Sequence, residues 1–432
     1  MGNMSKFCDP AIKDATLEYW RTAREDKERL YLGASAIGHP CDKYLWLSFR
    51  GLFVPHFPPR ILRLFNRGDR EEQVFTDELR GVGCEVWDLN PKTGLQWAVH
   101  ALGGHFSGHL DGVCKGIPGA EKTVHVLEFK THNDSSFAKL IKVGVEIAQP
   151  KHYAQMQAYM GLMKLKRALY CAVNKNTDET HFERIEFDPA KYKVLMVRAE
   201  RIINSIDVDR MTTRSDDFRC KCCDAHDVCW GKTGTAMKIE KGRPIDCRTC
   251  CHSTAMTKLE GAQWHCNLNL PTTIGKPCNC PSHLVLPTLI TDEDVILEGS
   301  ESSGKSLTYS CLGKQFTNGQ ADGQFSSEEL ARLSLDIVTT PKVQEAKEVF
   351  GATVEAVSTP TLIDRYPVGD VEKVWVGRKA DLNAAFKALK LDKPKMTDQF
   401  ENETAVYWEY NNCILVASGI TNHKAYILRG KE

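Results

Sequence analysis

The fold is decided by two neighbouring stretches of sequence, Gly108-His109-Leu110-Asp111-Gly112-Val113 and Val124-His125-Val126-Leu127-Glu128-Phe129-Lys130. Both stretches are rich in β-forming residues and are separated by turn residues, which predicts two strands of one sheet. Glu128 and Lys130 stand two apart on the second strand, so their side chains leave the same face. Asp111 lies beside a glycine on the neighbouring strand. The pattern predicts that two carboxylates and a lysine converge at the strand ends.

This combination of side chains is suited to metal-assisted hydrolysis. Converging carboxylates bind hard divalent cations such as Mg²⁺ or Mn²⁺ through oxygen. A neighbouring lysine can orient or deprotonate the attacking water, while the metal offsets negative charge at a phosphate. The same spacing is also that of a turn aspartate and an exposed strand pair, so these three residues alone leave both interpretations open.

Helical patterns flank the predicted strands. One helix is predicted over 61–80 and carries Glu72, four residues after Gly68. Another is predicted over 150–163 and carries Gln155 and Tyr159, which are i and i+4 and therefore share a face. A further strand is predicted at 168–174. The order of helix, strands, helices and strand indicates an α/β core with a mixed central sheet flanked by helices.

Four pairs of residues match, in order and approximate spacing, the motifs of a known superfamily: Gly68/Glu72, Gly108/Asp111, Glu128/Lys130 and Gln155/Tyr159. They resemble the PD-(D/E)XK nucleases, specifically the RecB-like and lambda-exonuclease-like branch, which includes phage-encoded exonucleases. Leu110 stands where that branch often has proline. The resemblance covers about residues 30–235 and implies a restriction-endonuclease-like core.

The resemblance also implies residue roles. Glu72, Asp111 and Glu128 would bind Mg²⁺ or Mn²⁺, and Lys130 would position the nucleophilic water. Gln155 and Tyr159, on the helix after the sheet, would support the bound DNA or the lysine.

The implied activity is that of a metal-dependent deoxyribonuclease that hydrolyses phosphodiester bonds, an exonuclease of phage-type recombination or DNA processing. An endonuclease or flap nuclease is the first alternative, because the motif determines the chemistry but not the polarity. The second alternative is a non-catalytic nucleic-acid-binding scaffold. DNA is the predicted partner, with a single-strand annealing or other recombination protein as a second candidate; the oligomeric state is left open.

Charge and hydropathy restrict the partners further. The 432 residues contain 56 Lys+Arg and 56 Asp+Glu, so the net charge is zero and DNA must be held by a local basic surface. Candidate basic residues lie downstream of the core motif, although each alone could equally be a solvated lysine: Lys139, Lys142, Lys151 and Lys175. The sequence has no signal-peptide core and no apolar run of membrane length, which predicts a cytoplasmic protein without a membrane partner.

Cysteine is unusually clustered, with 17 in the chain and ten between Cys220 and Cys280. Without an export signal, metal ligands are expected rather than disulfides. The spacing C-x2-C-x5-C joins Cys220, Cys223 and Cys229. Together with Cys41 upstream, these cysteines resemble the four-cysteine motif of AddB-type helicase-nucleases, which implies a [4Fe-4S] cluster. Zinc is the alternative, since four thiolates suit it equally. Cys222 is predicted to be a spectator.

A second cysteine group predicts a small zinc-binding module. The ligands predicted are Cys247, Cys250, Cys266 and Cys280, a ribbon-like pattern in which zinc would supply folding energy. His283 or Cys278 could replace the last of these ligands.

The chain is predicted to divide into a nuclease domain over 1–235, the zinc module over 236–290 and an α+β domain of unknown role over 291–432. Residues 299–306 fit the phosphate-loop pattern G-x4-G-K-S. The alternating residues that follow, 307–312, predict a second strand rather than a helix. The segment is therefore expected to be a polar hairpin turn.

Overall fold

The computed structural model describes residues 10–22, 28–290, 296–300, 306–311, 314–341, 343–344, 347, 371–378, 406–410, 413–417 and 424–430. The chain divides into two compact units, Met1–Lys232 with Gly242–Asn279, and Thr233–Lys241 with Cys280–Glu432. The predicted three-part division stays a prediction. Among the described helices, none combines the length and the apolar character needed to cross a membrane.

The first unit contains eight described helices. Their bounds are α1 Pro10–Thr22, α2 Asp42–Phe49, α3 Pro59–Gly81, α4 Asp134–Ala148, α5 Pro150–Met163, α6 Pro189–Asn204, α7 Phe218–Lys221 and α8 His226–Cys229. Its strands are β1 Leu32–Gly33, β2 Glu85–Trp87, β3 Ala98–Ala101, β4 Phe106–His109, β5 Gly112–Lys115, β6 His125–His132, β7 Arg167–Asn174, β8 Thr180–Glu186, β9 Ser253–Ala255 and β10 Trp264–Cys266.

The central sheet has five strands in the order β2-β5-β6-β7-β8. β6 and β7 are parallel, and the other neighbours are antiparallel. The predicted α/β core with a mixed sheet flanked by helices is therefore confirmed. A smaller sheet, in the order β1-β4-β3, stands beside it.

The prediction of one continuous strand over 108–113 is wrong, because the chain changes sheets within it. β4 pairs with β1 and β3, whereas β5 pairs with β2 and β6. Between them, Leu110 is fully buried and Asp111 uses its carboxylate to accept a hydrogen bond from the Phe129 backbone. At this point the Asp111 carboxylate, rather than a backbone carbonyl of a neighbouring strand, accepts the hydrogen bond from β6.

One face of the central sheet packs on α3 through an apolar core. Phe75 of α3 stacks on Phe129 of β6 at a centroid distance of 5.3 Å, and Leu127, Leu169 and Cys171 fill the space around them. Burial of such side chains stabilises the fold by roughly 1.5–3 kcal/mol each. Because β6 alternates, its even-numbered residues face the opposite side, toward α4 and α5.

Two elements of this unit escape the sequence prediction, β8 and α6. β8 lies at the sheet edge and carries charged residues on its exposed face, which hides its alternation. α6 begins with Pro189 in its first turn, and Asp188 caps it by accepting from the backbone of Ala190 and Lys191. That Asp-Pro pair is an N-terminal helix signal.

The second unit contains two antiparallel sheets. One has the order β11 Ile296–Ser300, β12 Leu307–Cys311 and β13 Lys314–Asn318. The other has the order β14 Val371–Arg378, β17 Lys424–Gly430, β16 Cys413–Ala417 and β15 Val406–Tyr410. Two short helices follow β13, α9 Ser327–Leu330 and α10 Leu335–Val338.

The predicted hairpin around the phosphate-loop pattern is confirmed, since β11 and β12 pair antiparallel. Residues 301–305 of the pattern lie outside the described residues, but the segment joins strand to strand. The phosphate loop requires a helix at this place. Ser326 caps α9 and forms a capping box with Glu329.

Two helical glycines in the first unit offer a matched test of the packing. An added Cβ at Gly161 of α5 would stand 2.3 Å from the Tyr192 ring of α6, whereas one at Gly68 of α3 would meet nothing within 4 Å. We expect Gly161→Ala to lower the unfolding free energy by about 1–3 kcal/mol. Gly68→Ala should raise it by about 0.5–1 kcal/mol. Urea unfolding measures both, and equal effects would contradict the close approach of α5 to α6.

Candidate active site

The site lies on the face of the central sheet that looks toward α5. Glu128 on β6 is paired in register with Tyr170 on β7, and Lys130 with Ala172, so these side chains occupy one face. The sheet change at Asp111 brings a second carboxylate to the same strand. Its Oδ2 accepts a hydrogen bond from the Phe129 backbone at 2.7 Å.

The Glu128 carboxylate is the centre of the site and is completely buried. Its Oε2 accepts a hydrogen bond from Gln155 Nε2 of α5 at 2.7 Å. Its Oε1 forms an ion pair with Lys130. The Lys130 ammonium also lies 3.9 Å from Asp111 Oδ2 and donates to the Phe129 carbonyl at 2.9 Å. One lysine thus stands between two carboxylates.

Burial dominates the electrostatics of the pair. It raises the pKa of Glu128 to about 8; Lys130 offsets part of that rise, and the negative charges of Asp111 and Glu72 add to it. Burial would lower the pKa of Lys130, but the Glu128 and Asp111 carboxylates outweigh it and the pKa is raised. Lys130 therefore stays protonated, whereas burial disfavours the ionised form of Glu128.

Tyr159 explains why a glycine precedes Asp111 by three residues. The tyrosine is buried and its hydroxyl donates to the His109 carbonyl at 2.7 Å, one turn of α5 beyond Gln155. A Cβ at Gly108 would stand 2.6 Å from Tyr159 Cε1 and 2.9 Å from Ala34 Cβ. The ring can lie on β4 only because residue 108 has no side chain.

The structure brings five of the six predicted catalytic residues into one bonded network: Asp111, Glu128, Lys130, Gln155 and Tyr159. Glu72, half-buried on α3, joins through its charge, which raises the pKa of both Glu128 and Lys130. In the described part of the chain, no three His, Cys, Asp or Glu side chains are arranged as the ligand set of a metal ion. Among the carboxylates of this site, the Lys130 ammonium occupies the central position.

The predicted lysines differ in their placement. Lys139, Lys142 and Lys151 are exposed, and Lys175 is half-buried. Only Lys151 and Lys175 are close enough to lower the pKa of histidines beside the site. These two are therefore the lysines nearest the catalytic network.

Sequence reasoning missed a second polar group next to this network, formed by His132, His152 and Tyr170. The Tyr170 hydroxyl lies 2.8 Å from both His132 Nε2 and His152 Nδ1. The signal was available, because His132 continues the period-two face of Glu128 and Lys130 on β6. His152 likewise precedes Gln155 by three residues on α5.

The first cysteine group is assembled from distant parts of the chain. Cys41 is the N-cap of α2. Burial raises the pKa of Cys220, Cys223 and Cys229, and the nearby Cys41 thiol adds to that rise. All four thiols are half-buried. Cys222, the predicted spectator, is exposed. The four predicted ligands thus lie in one neighbourhood, and only the fifth thiol faces away into solvent.

The second cysteine group surrounds the turn before the β9–β10 hairpin. A hydrogen bond from Cys278 lowers the pKa of Cys247 to about 6. A hydrogen bond with Cys250 lowers the pKa of Cys251, whereas the nearby Cys266 raises it.

The two remaining candidate ligands of the second group fall in the second unit. They are Cys280 and His283. The His283 Nδ1 is hydrogen-bonded to Ser327 Oγ at 2.8 Å.

No protein-family model matches this chain, and no curated protein matches it either. Among solved structures, an alkaline exonuclease from Laribacter hongkongensis shares 17% identity, covering 43% of this chain and 90% of its own, with a TM-score of 0.30. A phage-related exonuclease from Haemophilus somnus 129PT shares 15% identity, covering 32% of this chain and 68% of its own, with a TM-score of 0.23. These neighbours are exonucleases, but the TM-scores are too low to establish a family or an activity.

The contact of Gly108 with Tyr159 can be tested by a double-mutant cycle. We expect Gly108→Ala to lower the unfolding free energy by about 1–3 kcal/mol, because the new Cβ overlaps the ring. In a Tyr159→Leu background the same change should cost less, since the ring edge is gone. Chemical denaturation measures all four variants. An equal cost in both backgrounds would show that Tyr159 does not require this glycine.

Proposed function

We propose that this chain is a metal-dependent deoxyribonuclease that hydrolyses phosphodiester bonds, acting as an exonuclease. The observation that carries the proposal is the buried Glu128 carboxylate, held by Gln155 on one oxygen and sharing the single Lys130 ammonium with Asp111 on the other. Two carboxylates beside one lysine leave negative charge when both ionise, and a further cation would compensate it. Hydrolysis of an anionic ester is the chemistry that such a cation serves.

The side chains are of the type that a hard divalent cation takes, although in the described residues they do not form a ready ligand set. Oxygen donors are supplied by Asp111, Glu128 and Glu72, which would hold Mg²⁺ or Mn²⁺. When bound, the metal would offset the negative charge of the phosphate and activate water. Glu128 Oε1, which is ion-paired with Lys130, would exchange that partner for the metal.

The other side chains support the reaction through position and charge. Lys130 remains an ammonium under the influence of its carboxylate neighbours. It is therefore better suited to orient a water or a phosphate oxygen by donating to it than to remove a proton. Gln155 fixes the Glu128 carboxylate, and Tyr159 ties α5 to β4 through the His109 carbonyl. Lys151 and Lys175 add positive charge for an anionic strand.

The nuclease proposal predicts the behaviour of an isosteric variant. Glu128→Gln should lower the rate of linear DNA degradation with Mg²⁺ or Mn²⁺ by about 100- to 1000-fold, because one charged donor is lost from the site. Lys130→Ala should be similarly impaired. Glu186→Gln is the matched control, because that carboxylate is largely exposed on β8. Full activity in both site variants would refute the proposal and favour a nucleic-acid-binding scaffold.

We further propose that Cys41, Cys220, Cys223 and Cys229 hold a [4Fe-4S] cluster, with zinc as the alternative at the same thiols. Their mutual electrostatic influence supports the proposal, although in the described residues no three of them are arranged as a ligand set. A shared centre would tie α2 to the segment after α6. A separate zinc site is proposed at Cys247, Cys250 and Cys266. Cys280 was predicted as its fourth ligand, but the contact between Cys247 and Cys278 favours Cys278 in that place.

The two metal proposals predict separable losses. Cys41→Ser should remove iron and visible absorbance from anaerobically purified protein while leaving zinc in place. Cys222→Ser is the control and should keep both metals, because its thiol is exposed. Cys278→Ser should remove zinc alone. Elemental analysis decides between the alternatives: two zinc equivalents without iron would refute the iron–sulfur assignment.

A further inference from the structure

A chain of hydrogen bonds beside the catalytic network has no part in the proposed hydrolysis. Gln149 Nε2 donates to Ser136 Oγ at 2.8 Å, and Ser136 Oγ lies 2.9 Å from His132 Nδ1. His132 Nε2 lies 2.8 Å from the Tyr170 hydroxyl, which lies 2.8 Å from His152 Nδ1. The chain begins at Gln149, between α4 and α5, and ends at His152 on α5, one turn before Gln155.

The first members of the chain set its direction. Because Ser136 Oγ accepts from Gln149, its hydrogen is free for the other hydrogen-bonded neighbour, His132 Nδ1. A neutral imidazole carries one hydrogen, so His132 then donates from Nε2 to Tyr170. Burial raises the pKa of Tyr170, so the hydroxyl keeps its single hydrogen and donates it to His152 Nδ1. His152 must therefore carry its own hydrogen on Nε2.

The second ring nitrogen of His152 is available to a ligand. The ring is half-buried, and its Nε2 makes no hydrogen bond with the described residues. That atom is also not closed off from solvent, unlike the buried Nε2 of His125. His152, Gln155 and Tyr159 are i, i+3 and i+7 on α5 and share one face. Tyr170, which holds the ring, is paired in register with Glu128.

We propose that His152 contacts the substrate, donating its Nε2 hydrogen to a phosphate oxygen of the bound nucleic-acid strand, and that Tyr170, His132 and Ser136 are positioning residues that fix its tautomer. The inference rests on the proposed nuclease function. A neutral donor adds directed hydrogen bonding to a site whose charge comes from Lys130 and the metal. Burial and the neighbouring Lys130 lower the pKa of His152 to about 3, consistent with a ring that stays neutral.

Kinetics of three variants test the contact. His152→Ala should lower kcat/KM on linear DNA about 10- to 100-fold, the effect of one hydrogen bond to a charged group. His152→Gln should recover part of the loss, because its amide can donate from a similar reach. Tyr170→Phe should lower kcat/KM about 2- to 10-fold. Tyr192→Phe is its matched control, since that hydroxyl forms no hydrogen bond in the described residues. Wild-type activity in His152→Ala, or no recovery in His152→Gln, would overturn the contact.

Nitrogen-15 NMR of histidine-labelled protein tests the relay without requiring activity. We expect His132 and His152 both to carry their hydrogen on Nε2, and Tyr170→Phe to release His152 into a mixture of tautomers. A hydrogen on Nδ1 of His152 would overturn the proposed direction. If the wild-type protein fails to cleave DNA with Mg²⁺ or Mn²⁺, the proposed function fails and the phosphate contact fails with it. In that case the NMR measurement of the histidine tautomers still tests the proposed direction of the hydrogen-bond chain.

Discussion

The burial of one carboxylate, that of Glu128, is the constraint on which the site depends. Removing an ionised carboxylate from water costs several kcal/mol unless hydrogen bonds and opposite charge compensate it. Gln155 supplies the hydrogen bond and Lys130 the charge, yet burial still raises the pKa of Glu128 to about 8. The folded chain therefore holds a group that gains from an additional cation. A stability cost of this kind is common where a protein prepares a reactive site.

The rest of the first unit places groups around that carboxylate. The parallel pairing of β6 and β7 positions Tyr170 beside it, and the change of sheet at Asp111 brings the second carboxylate. α5 supplies Gln155 and Tyr159 from above. Close packing holds this helix, because a Cβ at Gly38 would stand 2.6 Å from the Lys151 Cα, as one at Gly108 would meet Tyr159. Glycine at these two positions allows α5 to approach the neighbouring backbone closely enough for the polar network to form.

Local pattern was sufficient for some of this architecture. The two-residue period of Glu128 and Lys130 predicts their common face, and the bounds of α5 follow from Pro150 at its start and its helical pattern. The change of sheet at Asp111 could not be predicted, because a side chain there replaces a backbone partner from a distant strand. The contact of Cys247 with Cys278 likewise depends on the path of the chain between them. The positions of His132 and His152 follow from the strand and helix periods. Their link through Tyr170 could not be predicted, because it joins residues of β6, β7 and α5 that meet only in the folded chain.

The central claim is that Asp111 and Glu128 bind a divalent cation that compensates the buried charge. Anomalous diffraction from crystals soaked in Mn²⁺ measures this directly, because it locates the ion without reference to activity. We predict a manganese peak within bonding distance of oxygen atoms of Asp111 and Glu128, with the Lys130 ammonium displaced from Glu128 Oε1. No manganese at these carboxylates, with Lys130 still paired to Glu128, would contradict the account.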